Sequence, residues 1–111
     1  MQRKKPNPDL RNFEKLIGTW QLTGNINGTS TYEWAEGKFF LLHNFEFAQD
    51  GNPYKGIEII GHERGMGAEP GDEIKTRIYG FTDGLTQDYV YEVNSPHTYI
   101  VWLGKKGRQL L

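Results

Sequence analysis

Five consecutive residues, Leu16-Ile17-Gly18-Thr19-Trp20, constrain the fold of this chain more than any other feature. They join two patterns of different period. Leu10, Phe13, Leu16 and Ile17 recur at helical spacing, whereas from Thr19 onward apolar and polar residues alternate. The alternation continues through strand after strand, separated by glycine-bearing turns, with no second convincing helix. A short helix running into a glycine and then into a strand that starts with tryptophan predicts a small antiparallel barrel or curled sheet. The tryptophan would plug one open end, and the enclosed cavity would hold any function.

The helix has a clear start. Asn7 suits the N-cap, Pro8 the first helical position and Asp9 the first turn, while Gly18 suits the end. Such a short helix cannot stand alone and must pack its stripe on the sheet. Period-two stretches then predict seven strands. Trp20, Leu22 and Ile26 share a face, with a first turn at Asn25-Ile26-Asn27-Gly28. Tyr32 and Trp34 lie on one side of the next strand, Thr29 to Trp34. Phe39–Phe47, Tyr54–His62, Ile74–Phe81, Asp88–Val93 and Thr98–Leu103 follow. Gln49-Asp50-Gly51-Asn52-Pro53 is a strong turn signal, and Gly65–Asp72 is the longest loop.

These elements make one domain over residues 8–104, between a disordered basic tail at 1–7 and a C-terminal tail at 105–111. At 111 residues the chain is long enough to bury a core. A net charge of −1 gives no electrostatic pull toward nucleic acid or acidic membranes. The absence of cysteine excludes disulfides, thiol catalysis and zinc–thiolate sites. Met1-Gln2-Arg3-Lys4-Lys5 is charged like the head of a secretion signal, but Pro6-Asn7-Pro8-Asp9 follows where an apolar stretch would be needed. No run of residues is apolar enough to span a membrane, and a cytoplasmic location is expected.

Three segments together resemble a bacterial family of lipocalin-like proteins of unknown function. They are Phe13…Leu16-x-Gly18-Thr19-Trp20, Glu33-Trp34-x-x-Gly37-x-Phe39 and Gly56-Ile57-Glu58-Ile59-Ile60-Gly61-His62-Glu63. The resemblance covers about residues 8 to 107. It implies a calycin-type antiparallel barrel with a central cavity, and no established substrate or catalytic residue. Members of that family continue beyond the Gly104-Lys105-Lys106-Gly107 region with strands that close the barrel, so the expectation here is an incomplete lipocalin-like barrel of about seven strands. Small ligand-holding barrels use about eight. An open curved sheet wrapped on a long helix is the alternative, disfavoured by the single short helix. In the incomplete barrel Tyr99–Leu103 would be an uncharged edge strand, and a homodimer through that edge is expected.

Several residues could carry chemistry. His43 falls among Phe39, Leu41, Phe45 and Phe47 by alternation, either as a polar group inside an apolar cavity or as a core histidine with a hydrogen-bond partner. Glu58 and His62 share a side of their strand and could form a charge-assisted general-base pair if that side faces inward. If it faces outward, Ile57 and Ile59 supply the core face. His43, His62 and His97 show no metal-ligand spacing, so no metal is expected. Related barrels hold haem through one histidine, but nothing in the spacing favours this and no cofactor is expected. Tyr79, Tyr89, Tyr91, Tyr99 and Trp102 with Arg77 could form a stacking platform, although cross-strand packing accounts for them as well. No nucleophile or phosphate-loop motif occurs. The reading that follows is non-catalytic binding of a small, mostly apolar molecule, lined by Trp20, Trp34, His43, Glu58, His62, Tyr79 and Tyr91. An acid–base enzyme using His43, or Glu58 with His62, and a ligand-free dimeric interaction module are the alternatives.

Overall fold

Asn7 caps the first helix through its side chain, which accepts the Asp9 backbone N–H at 3.1 Å, and Pro8 occupies the first turn. This is seen in a computed structural model that describes residues 5–95, 98–103 and 108–110, and the side chains of residues 5–91. The helix, Pro8–Leu16, is a 3₁₀ helix. At three residues per turn, Leu10, Phe13 and Leu16 stack along one line. Leu10 and Phe13 are buried and Leu16 packs beside them, while Ile17, which an α-helical period would add to the stripe, is 38% exposed.

The strands are β1 (Gly18–Leu22), β2 (Ile26–Trp34), β3 (Phe40–Gln49), β4 (Asn52–Gly61), β5 (Ile74–Gly80), β6 (Thr86–Ser95), β7 (Thr98–Leu103) and β8 (Arg108–Leu110). They form one antiparallel sheet in which every strand pairs with its neighbours in sequence, β1 through β8. Among the described residues no ladder joins β1 to β8, so the sheet is open. The chain is therefore all-β apart from one short helix. Among the described residues no helix is long and apolar enough to cross a membrane.

Two expectations need correction. Residues 108–110, read as part of a tail, form a strand, in which Ile100 pairs with Leu110, Val101 with Gln109 and Trp102 with Arg108. The strand β7 thus has a partner on its outer side and is not the bare edge on which a homodimer was expected to form. The first turn also comes earlier than Asn25–Gly28. Gly24 adopts a φ of 101°, and Ile26 already pairs with Gln49 of β3.

The turn between β3 and β4 is only two residues long. Asp50 and Gly51 both have positive φ, 52° and 79°, as a two-residue hairpin turn of the primed type requires. Gln49 and Asn52 pair directly across it. The core lies on the face that meets the helix: Leu10 and Phe13 from the helix, Leu41 from β3, Ile60 from β4 and Ile74 from β5. Tyr32, Trp34 and Tyr91 pack against this cluster, with the Phe13 and Tyr91 rings edge to face at 5.6 Å. This arrangement settles which side of β4 is inner. Glu58, Ile60 and His62 are buried there, and Ile57 and Ile59 occupy the opposite face.

Candidate functional site

Register places the chemistry. Cross-strand pairing sets Tyr32 opposite His43 and His43 opposite Glu58, on three consecutive strands. Successive residues on a strand point to opposite faces, so Ser30, Tyr32, His43, Phe45, Glu58 and Thr76 all lie on the inner face.

A chain of hydrogen bonds links them. Glu58 is 5% exposed and accepts three bonds: from His43 Nδ1 at 2.8 Å on one oxygen, and from the Thr76 and Tyr91 hydroxyls, each at 2.7 Å, on the other. A carboxylate only accepts, so His43 Nδ1 carries the proton in this network. The opposite nitrogen, Nε2, then accepts from the Ser30 hydroxyl at 2.8 Å. Among the described residues no buried side-chain polar atom lacks a partner. The Tyr91 hydroxyl holds its proton well beyond the usual tyrosine range, because it is buried and because the Glu58 carboxylate lies beside it. It therefore remains a donor.

Aromatic rings extend from this chain across the sheet. Tyr32 stacks flat on the His43 imidazole, with centroids 4.0 Å apart and planes 4° from parallel. Phe45 follows at 5.5 Å from His43, and Phe47 and Tyr54 stack beyond it at 5.9 and 6.2 Å. All are half-buried rather than enclosed. Two glycines make room for them. Phe45 lies across its register partner Gly56, and the Tyr54 hydroxyl occupies the space that a side chain on Gly80 would need. Tyr54 is held by a 2.8 Å bond to Asp83, which raises the phenol's pKa and lowers that of the carboxyl.

The other expected site residues divide. His43, Glu58 and Tyr91 come together as described. His62 does not pair with Glu58: four positions further on, just past the end of β4, it is buried under the helix, where Nε2 meets Asp9 at 2.7 Å and Nδ1 meets the Gly71 carbonyl at 2.8 Å. It thereby joins the helix to the β4–β5 loop. Trp34 packs on the core and donates to Glu14 at 2.9 Å. Trp20, 47% exposed, sits opposite Ser30 and donates to the Leu16 carbonyl at 2.8 Å. Tyr79 is separated from all of these, because it lies opposite Ile57 on the other face. There it borders a cleft of about 1080 Å³ with Phe40, Ile59 and the ion-paired Arg77 and Asp88. Arg77 is exposed, and the Asp88 bond raises its pKa while lowering that of Asp88.

Among the described residues no group of three or more His, Asp or Glu side chains could hold a metal ion. His97 and the side chains of Tyr99 and Trp102 lie outside the described residues. Sequence reasoning did not single out Ser30 or Thr76. Their only sequence signal is alternation relative to Tyr32 and Ile74, which assigns a face but no partner. No family model matches the chain and no curated protein matches it, so the lipocalin-like resemblance rests on the three segments that carry it.

Proposed function

We propose that the inner face of the sheet binds a small, mostly apolar molecule with an aromatic part. The observation that carries this reading is the half-buried row of Phe45, Phe47 and Tyr54, which ends at a polar point made by His43 and Ser30. Ligand pockets combine those elements, an apolar lining with a few placed polar groups. Ser30 gives its proton to His43 and keeps oxygen lone pairs free to accept from a ligand hydroxyl or amide N–H. The sheet in this reading is part of a lipocalin-like barrel whose cavity is lined by this face. The helix packed over one end of the face, with Trp20 tied to its last turn, supports that arrangement.

Titration with 4-nitroacetanilide, followed by amide and side-chain NMR shifts, tests the site. Saturable shifts centred on Phe45, Phe47, Tyr54 and His43 are expected. Shifts confined to Phe40, Ile59 and Tyr79, or no saturable response, would overturn the assignment.

A further inference from the structure

We infer that Ser30 is a nucleophile, with His43 as its general base and Glu58 as the residue that orients the base, and that the molecules it accepts acyl groups from are aryl esters. The inference rests on the reading of the inner face as an aromatic binding site.

The connectivity is specific to the atom. Ser30 Oγ meets the Nε2 of His43 and not Nδ1, at 2.8 Å. Nδ1 meets Glu58 Oε1, also at 2.8 Å, and the second Glu58 oxygen is pinned by Thr76 and Tyr91. A nucleophile within reach of a base, and a base held in one tautomer by a carboxylate, is the arrangement that activates a serine hydroxyl. Tyr32, stacked on the imidazole, holds its plane.

The substrate class follows from position. Ser30 lies directly opposite Phe45 on one side and Trp20 on the other, and all three share the inner face. Side chains paired in this way approach within about 5 Å. A phenyl group resting on Phe45 thus places an attached ester carbonyl beside Ser30, which is itself only 9% exposed, so the ester must displace neighbouring side chains to reach Oγ.

The first step joins Ser30 Oγ to the acyl carbon, passes the hydroxyl proton to His43 Nε2 and then to the departing phenolate, and releases a phenol. In the second step a water, deprotonated by the same nitrogen, breaks the acyl–serine bond. The products are a carboxylic acid and free Ser30.

The rate has a built-in limit. Around Ser30, over residues 28–32, the strand β2 is paired on both sides, so the backbone N–H groups beside Oγ serve the ladders and are not spare for a developing oxyanion. An oxyanion donor contributes about 10²–10³ in rate. Acylation is expected to be slow, and only esters with good leaving groups should react.

The test is incubation with 4-nitrophenyl acetate, intact-mass measurement and peptide mapping, on wild type, Ser30→Ala and His43→Gln, with folding of each checked by thermal melting. One acetyl group on Ser30, absent from Ser30→Ala and at least tenfold slower to form in His43→Gln, is expected. Acetylation confined to lysines or tyrosines, or acetylation of Ser30 at an unchanged rate in His43→Gln, would overturn the inference. Should His43→Gln fail to fold, Ser30→Ala decides alone, since wild type and this variant must differ by the single acetyl group. The 4-nitroacetanilide titration separates the two readings. Binding without acylation removes only the nucleophile, whereas neither binding nor acylation removes both.

Discussion

Phe45 is seated over Gly56 on the neighbouring strand, so close that a β-carbon at Gly56 would lie 2.6 Å from the tip of its ring. The same β-carbon would lie 2.4 Å from the Tyr79 carbonyl, which belongs to the ladder and cannot turn aside. Gly56→Ala is therefore expected to destabilise the fold by about 1–3 kcal/mol, as overpacking does. Urea unfolding measures this. Phe45→Ala in the same chain should recover only part of the loss, because the backbone contact remains.

Glu58 receives three donors in a site with little water, and an amide there must turn its own N–H groups toward one of them. Glu58→Gln should cost about 1–3 kcal/mol, the penalty for leaving a buried polar group unmatched. A double-mutant cycle checks the origin of that cost. Tyr91→Phe should be less damaging in the Glu58→Gln background than alone, since the bond it removes is already weakened. Strict additivity would show that the two side chains do not communicate.

Tyr91 gives the chain an alkaline limit. Its folded-state pKa is raised above the ordinary 10.0 by burial and then by Glu58. Below that value both folded and unfolded chains hold the proton, and the native contact contributes in full. Above it the unfolded chain gives up a proton that the folded chain keeps, so stability falls as pH rises. The decline should approach about 1.4 kcal/mol per pH unit. Urea midpoints measured from neutral pH to above 10.0 in wild type and Tyr91→Phe should diverge on the alkaline side, with the variant showing the shallower slope.

His62 connects the helix to the β4–β5 loop through Asp9 and Gly71, across 53 positions of sequence in the case of Asp9. Asp9→Ala leaves one buried imidazole nitrogen without its acceptor, and about 1–3 kcal/mol should be lost. Asp9→Asn retains an acceptor oxygen and should lose less. Hydrogen exchange locates the effect: amides of the helix should open faster in Asp9→Ala, while those at the Asp50-Gly51 turn should not change.

Much of the site could be located from particular residues before any coordinates. A two-residue turn at Asp50-Gly51 sets the pairing of β3 with β4, so the position seven before Asp50 must face the position seven after Gly51. Those positions are His43 and Glu58, and by the same rule Phe45 faces Gly56. Reading the turn as the broader segment Gln49–Pro53 hides this register, which is why Glu58 was matched with its strand-mate His62. Ser30 and Thr76 are a different case. The connection between β2 and β3 runs through Gly37 and Lys38, both with positive φ, and the β4–β5 loop spans residues 62–73. Connections of such lengths do not dictate a register, so alternation alone could not bring Ser30 to His43 or Thr76 to Glu58. Tyr79 shows the converse. It shares its aromatic character with Tyr91, but its place in the alternation of β5 puts it on the far face.

The strictly sequential order of the strands has a consequence for how the molecule comes apart. A meander whose ladders join only neighbours in sequence can zip or unzip one hairpin at a time, like a linear array of coupled units. The helix interrupts that linearity. Leu10 and Phe13 touch β3, β4 and β5 together through Leu41, Ile60 and Ile74, and Asp9 reaches the end of β4. An N-terminal segment of nine residues thus acts as the clasp that turns a ribbon able to fray strand by strand into one that melts as a unit.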